Sequence, residues 1–348
     1  VLALRHSGLT LDRTPLFAWS VAVAAIMWLL TLPVLAGLLV FMYVDHRHGA
    51  VSFGANAGIY SHFGWLFRNP QIYVLAIPVL GFAADVLATT ARTRIAPRSV
   101  VIGAIGAFGV FSFGAFLVAA RPEFYASWIV IGLGLIAVLP VLAVVGLAID
   151  LFRRGTIHMN GGAAYAIAAL LVLLLGVLAG AFGSIPRYAT VGTIYDLGIS
   201  HAIVLASVIA CLGSIHWWAT KIGRQPAKEG PAYLAALLLL AGAGALALGD
   251  LVSGVWGKGP EIAPDWTGGI KAANGLVLVG VVIVALGMLV ALVGFLPLLK
   301  KGSDVPSDPW EGQTLEWLSP SPPPLQNFTE DLAVVTSAEP LVDLREEK

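Results

Sequence analysis

Nine polar or ionisable side chains lie within or beside long apolar stretches: His62, Arg68, Asn69, Gln71, Tyr73, Asp196, His201, His216 and Asp250. An ionisable group among hydrocarbon is costly, so each is a candidate for ligand, proton or ion chemistry. Imidazoles ligate metals and exchange protons near neutral pH, and a buried guanidinium demands an internal partner. Asp250 lies near the edge of its apolar run and His216 precedes Trp217-Trp218, so both fit an interfacial polar and aromatic belt. His201 stands deeper in its run, among Ile199, Ser200, Ala202 and Ile203. A lone histidine on an apolar face is ordinarily a hydrogen-bonded core residue, so core and ligand roles both remain open for it.

The elements that must position these residues follow from composition. Of 348 residues, 58% are apolar and 11% charged, with a mean hydropathy of +0.87. Soluble domains average roughly 45–50% apolar and 25% charged, so lipid must solvate much of this chain. The formal net charge is zero, which offers no electrostatic attraction for nucleic acid. The single cysteine, Cys211, lies in an apolar run and is expected to be a buried thiol. The chain begins at Val1 without a secretory signal and reads as a fragment or processed product with sequence missing upstream.

A bilayer core needs about 20 apolar residues per helix. Spans are expected at 15–43, 60–86, 99–120, 126–152, 163–184, 196–220, 231–254 and 270–299. The fold class is therefore all-α, a polytopic transmembrane bundle of about eight spans over residues 1–301. Residues 302–348 form a polar, Pro-rich tail, expected to be extended and solvated. Glycines such as Gly242, Gly244 and Gly249 suit close helix packing. Arg5, Arg13, Arg92, Arg94, Arg98, Arg153, Arg154, Lys221, Arg224, Lys228, Lys300 and Lys301 fall on one side of this topology. Arg47, Arg121, Arg187, Lys258 and Lys271 fall on the other, so both termini are expected in the cytoplasm.

Five local patterns, in order, resemble subunit I of the haem-copper respiratory oxidases (cytochrome c oxidase). They are Arg5-His-Ser-Gly-Leu-Thr with Pro15-Leu-Phe-Ala-Trp-Ser; Leu32-Pro-Val-Leu-Ala-Gly; Trp65-Leu-Phe-Arg-Asn-Pro-Gln-Ile-Tyr73; Trp217-Trp-Ala-Thr-Lys-Ile-Gly-Arg224; and Asp308-Pro-Trp-Glu-Gly-Gln-Thr-Leu-Glu-Trp-Leu-Ser-Pro. The third is similar to the family's Trp-Phe-Phe-Gly-His-Pro-Glu-Val-Tyr, and the fourth to its Trp-Trp-Pro-Lys-x-Thr-Gly-Arg. The resemblance covers nearly the whole chain, as helices five to twelve of that subunit. It implies a bacterial cytoplasmic-membrane protein in contact with lipid and with other subunits of a respiratory complex.

The resemblance also implies an oxygen-reducing centre of copper and high-spin haem, and there this chain departs from it. Asn69 stands where the first copper histidine is expected, and Phe113-Gly114 where the His-His pair is expected. Amide and phenyl groups bind copper poorly beside imidazole, so no copper is expected. Tyr73 remains, without the histidine to which such a tyrosine is cross-linked in the family. The family's tenth-helix His-x-His aligns with Ile199 and His201. Residues two apart on a helix point about 200° apart, so such a pair serves two haems. Ile199 cannot ligate iron, which leaves His201 as the expected ligand of one low-spin haem, its partner histidine lying upstream of Val1. Gln71 replaces the proton-gating glutamate, Val144 the lysine of the second proton path, and Val191-Gly192 the magnesium-site His-Asp pair. The paired arginines that hold haem propionates have no counterpart near residues 255–271. Arg68 replaces a glycine beside the lost copper, where its guanidinium would fill the empty cavity against Asn69 or Gln71.

These substitutions leave no catalytic residue and imply an oxidase-like scaffold unable to reduce O2. One function class is an electron-transfer subunit keeping one haem at His201. A second is a haem-free structural or assembly subunit. A third is a transporter using Arg68 and Gln71 in a polar cavity.

Overall fold

The computed structural model describes residues 1, 5–6, 8–49, 57–112, 128–185, 187, 190, 192–223, 225–259, 267–300, 305–328, 332 and 334–347, with backbone alone at 57–71, 112 and 129–130. The chain forms helices α1 (Leu16–His48), α2 (Ala57–Thr90), α3 (Arg98–Ser112), α4 (Trp128–Ile136), α5 (Val138–Arg154), α6 (Gly161–Gly183), α7 (Tyr195–Trp217), α8 (Ala219–Ile222), α9 (Glu229–Val255), α10 (Gly268–Phe295) and α11 (Pro340–Glu346). Seven described helical segments are long and apolar enough to cross a membrane: Leu16–His48, Ile72–Thr90, Ile131–Arg154, Gly161–Gly183, Tyr195–Trp217, Glu229–Val255 and Gly268–Leu299. The expected span at 99–120 is represented by the shorter apolar helix Arg98–Phe111, and residues 113–127 lie outside the described residues. Helices α4 and α5 form one span with a break at Ala137. Pro140 accounts for that break, since it has no N–H to offer the carbonyl four residues earlier, at Ile136.

Helix α2 is the centre of the bundle and packs against α1, α3, α5, α6 and α7. From Tyr73 onward it is buried on nearly every side. Helix α10 is peripheral: it packs against α9 through Ala273, Gly280, Gly287, Ala291 and Gly294 and exposes Leu278, Val282, Leu286 and Leu289. Small residues on the inner face let the backbones approach, while the apolar outer face suits lipid. A Cβ at Gly280 would lie 2.5 Å from the Leu246 nitrogen, and one at Gly242 2.7 Å from that of Val284.

Ends of α1, α2, α6, α9 and α10 are tied together by hydrogen bonds between or at the helices. The N-terminus of α1 is capped across the bundle by Asp85 near the end of α2, whose carboxylate accepts from Leu16 N (3.1 Å) and Phe17 N (2.8 Å). Pro15 precedes α1 and offers no side-chain cap, so the acceptor must come from elsewhere. Helix α6 is capped by its own Asn160, which accepts from Ala163 N at 2.8 Å and donates to Thr90. The N–H of Lys228, before α9, reaches the carbonyl of Gly294 in α10 at 3.1 Å.

The C-terminal segment packs over helix ends of the bundle, contrary to the solvated extension expected of it. Trp317 and Gln313 are buried, and the Gln313 amide donates to the carbonyls of Ala88 (3.3 Å) and Thr93 (3.2 Å). Trp310 donates from Nε1 to the carbonyl of Trp217 at 2.9 Å, and the two indoles stack 5.2 Å apart. Arg98 pairs with Glu339 at 3.1 Å and donates to the Thr14 carbonyl at 2.6 Å, so it ties α3, the tail and the segment before α1 together. Proline content carries no signal for docking, which comes from the Trp310 indole and the Gln313 amide donating to carbonyls at and just beyond helix ends.

Candidate functional site

Two histidine–carboxylate pairs join α7 to α9, one near each end of the bundle. Remote from the tail, His201 Nδ1 lies 2.8 Å from Asp250 Oδ2. The Asp250 side chain is only 6% exposed, whereas that of His201 is 36% exposed. A carboxylate accepts only, so a neutral imidazole facing it donates from Nδ1 and leaves the ring lone pair on Nε2. Carboxylates orient metal-ligating imidazoles in this same way. Leu197 and Cys211 are exposed on the His201 face of α7, so the thiol expected to be buried is open in this chain. Ile199 is 2% exposed and turned into the bundle, as its two-residue offset from His201 requires.

At the tail end, His216 Nε2 lies 3.0 Å from Glu229 Oε1, and Glu229 Oε2 accepts from Gly161 N at 2.6 Å. One carboxylate therefore joins α6, α7 and α9. His216 is fully buried at the end of α7, against the rings of Tyr165 and Trp310. The pairs are 15 residues apart on α7, from His201 to His216, which is ~22 Å along a helix. Asp250 is likewise buried against a partner, five residues before the end of α9 at Val255.

Other sequence candidates are dispersed. Tyr73 is buried in α2, its ring 5.5 Å from that of Phe108. Val144 is buried in α5. Asp196 is partly buried at the start of α7. The side chains of His62, Arg68, Asn69 and Gln71, and all of Phe113, Gly114 and Val191, lie outside the described residues. Among the described residues, no three His, Cys, Asp or Glu side chains converge as a metal-binding group.

A small cavity lies beneath the tail, with Asp85, Arg98, Trp218, Gln313, Glu316 and Glu339 in its wall. Burial pushes Glu316 above the usual carboxylate range, against the opposing effects of hydrogen bonds from Thr314 and Trp218 and the charge of Lys221. Burial also pushes Glu339 up, against the attraction of Arg98. Burial lowers Lys221 below the ordinary amine range. Sequence reading missed both the cavity and the pairing of His201 with Asp250. The available signal was that two ionisable groups in separate apolar spans need each other as partners.

The family model for cytochrome c and quinol oxidase polypeptide I matches residues 1–282. Cytochrome c oxidase subunit 1 of Bacillus subtilis is 26% identical over 98% of this chain and 57% of its own length. A cytochrome bo(3) ubiquinol oxidase subunit 1 from Buchnera aphidicola is 22% identical over 94% of this chain and 52% of its own. The chain thus spans a little over half the length of these relatives. A chain of a heme-copper terminal oxidase dimer solved by cryo-EM shares the fold, with a TM-score of 0.66 at 15% identity, over 83% of this chain and 58% of that one. With over half its residues matched, this all-helical membrane bundle belongs to the cytochrome c and quinol oxidase polypeptide I family.

Proposed function

We propose that this chain is a subunit-1-like component of a respiratory electron-transfer complex that has lost the oxygen-reducing centre and keeps one low-spin haem ligand, His201. The observation that carries the reading is the contrast between two residues of one helix. His201 is held by Asp250 with Nε2 free on the open face of α7, while buried Ile199 presents only alkyl carbon where a second iron ligand would stand. His201 fits one axial position, and a haem held there supplies one-electron transfer. Asp250 fixes the imidazole proton on Nδ1 and so keeps Nε2 available as a ligand.

Asn69, Phe113 and Gly114 in place of copper ligands, and Gln71 and Val144 in place of proton carriers, support the loss of oxygen reduction. Arg68 beside Asn69 supports a cavity filled by protein instead of metal. Clustering of Arg13, Arg92, Arg94, Arg98, Arg154 and Lys221 near the tail-covered face supports a cytoplasmic location for that face and both termini, in a bacterial inner membrane. Other respiratory subunits would cover the open face of α7.

The test is a reduced-minus-oxidised spectrum of the purified protein with and without His201→Ala, together with elemental copper analysis. A sharp low-spin haem band that vanishes in His201→Ala, with copper far below one ion per chain, is the expected result. One copper per chain would overturn the loss of the centre. A flat spectrum would favour a haem-free structural subunit, a reading that the His201–Asp250 bond also supports because the pair already satisfies a buried carboxylate on its own.

A further inference from the structure

The tail-covered cavity holds an imbalance of charge that the oxidase-like reading does not use. Its wall carries three carboxyl groups, Asp85 of α2 and Glu316 and Glu339 of the tail, and one guanidinium, Arg98 of α3. Two of the three carboxylates are compensated. Asp85 accepts two backbone N–H groups at the N-terminus of α1, where the helix dipole favours an anion. Glu339 is in contact with Arg98. Glu316 has no ion pair within contact distance among the described residues; around it are the Thr314 hydroxyl and the Trp218 indole, with Asp85 facing it as a like charge. The nearby cation, Lys221, spends its ammonium on the Ser319 carbonyl at 2.6 Å and lies over the Trp317 ring.

Everything else that holds the tail is independent of Glu316. Gln313, Trp310 and Arg98 make neutral or fully paired contacts, and Arg94 pairs with Asp343 and Glu346 of α11. Closing the tail therefore carries Glu316, alone of the tail's inward-facing acids, into a partly buried site beside another carboxylate without a cation in contact. Such a group prefers its neutral form when docked and its charged form when released into water.

We propose that the described parts of the C-terminal segment, residues 308–328 and 334–346, form a proton-sensitive latch over the helix ends, anchored by the Arg98–Glu339 pair and sensed by Glu316. The sign follows from linkage. The Glu316 carboxyl binds its proton more tightly in the docked tail than in the released one, consistent with its upward shift. Docking is therefore fully supported below the ordinary glutamate range and weakens as pH rises through the docked-state value. Neutralising one carboxyl changes the docking equilibrium by at most about tenfold per pH unit within that window. Glu339, also pushed up by burial against the charge of Arg98, acts in the same direction as Glu316, whereas Asp343, where burial is outweighed by the Ser337 and Arg94 bonds, acts in the opposite direction only at lower pH.

The test uses the whole chain in lipid nanodiscs, with spin labels at Ile157→Cys and Leu344→Cys on a Cys211→Ser background. Both label sites are exposed, one beside the helix ends and one on α11. Distances are measured by double electron–electron resonance from pH 5 to pH 8. The expected result is one short distance at pH 5 and a second, broader population growing several-fold by pH 8. Glu316→Gln is expected to flatten most of the pH response, leaving the smaller part due to Glu339, while Glu339→Gln, which breaks the anchor, shows the broad population at every pH. A distance distribution unchanged by pH, or a Glu316→Gln profile that tracks the unsubstituted residue, would overturn the proposal. So would release on acidification.

Discussion

Asp250, buried in α9, holds its Oδ2 2.8 Å from Nδ1 of His201 in α7, and His201 alone of the two reaches an open face. The helix that supplies the imidazole therefore depends on α9 to fix the ring's orientation. His201→Ala leaves a buried carboxylate without its partner, a change worth about 3–5 kcal/mol in fully buried pairs and less here because His201 is partly exposed. Thermal unfolding in detergent is expected to fall for His201→Ala and to recover largely in the His201→Ala/Asp250→Leu double variant. Failure of the double variant to recover would mean that the pair does not couple the helices.

Asp250→Asn tests the same bond without creating a buried charge. The amide still occupies the position, but the proton on Nδ1 is no longer dictated by a carboxylate. Any haem band is expected to weaken or shift while the fold persists, read by absorption beside circular dichroism. An unaltered band would remove Asp250 from the account of His201.

The contact between α9 and α10 should be intolerant of side chains at two points. Gly280→Leu and Gly242→Leu push a Cβ to 2.5 Å and 2.7 Å from backbone nitrogen on the facing helix. Overpacking typically costs about 1–3 kcal/mol, and backbone gives way less readily than side chains. Gly244→Ala meets nothing within 4 Å and is expected to be neutral or to stabilise by up to about 1 kcal/mol, the helix preference of Ala over Gly. Equal melting shifts for Gly244→Ala and Gly280→Leu would contradict this packing.

Asp85→Ala removes the cap that α1 borrows from α2. Loss of an N-cap costs about 1 kcal/mol, and two N–H groups are left without their acceptor here. The expected readout is faster hydrogen exchange at the first turn of α1, with Asp85→Asn intermediate. Unchanged exchange in that turn would show that water replaces the carboxylate at no cost.

Gln313→Ala deletes two hydrogen bonds between the tail and the end of α2. About 1–3 kcal/mol of tail docking is at stake, because the two carbonyls are left buried. Cleavage of the tail by added protease is expected to speed up several-fold while the bundle remains intact.

Hydropathy along the chain was enough for the architecture. The expected spans 163–184, 231–254 and 270–299 match Gly161–Gly183, Glu229–Val255 and Gly268–Phe295 to within a few residues. Span length and apolarity are local quantities, and lipid enforces them segment by segment. The glycines chosen for close packing met two different fates: Gly242 and Gly249 lie against α10, whereas Gly244 faces open space. Helical phase, which composition does not resolve, separates them.

His201 was legible as a candidate because an imidazole in an apolar run is rare, and its two-residue offset from Ile199 was legible as opposed directions. Tertiary structure alone decided its partner. Asp250 is 49 residues away in sequence and looked like a membrane-edge residue, and only the antiparallel packing of α7 on α9 brings the two together. The same holds for the tail: proline content is read along the chain, but docking depends on whether carbonyls at distant helix ends stand where Gln313 and Trp310 can reach them. Hydrophobic segments are selected by the solvent around each residue, whereas buried polar groups are selected by one another, across distances that no local window spans.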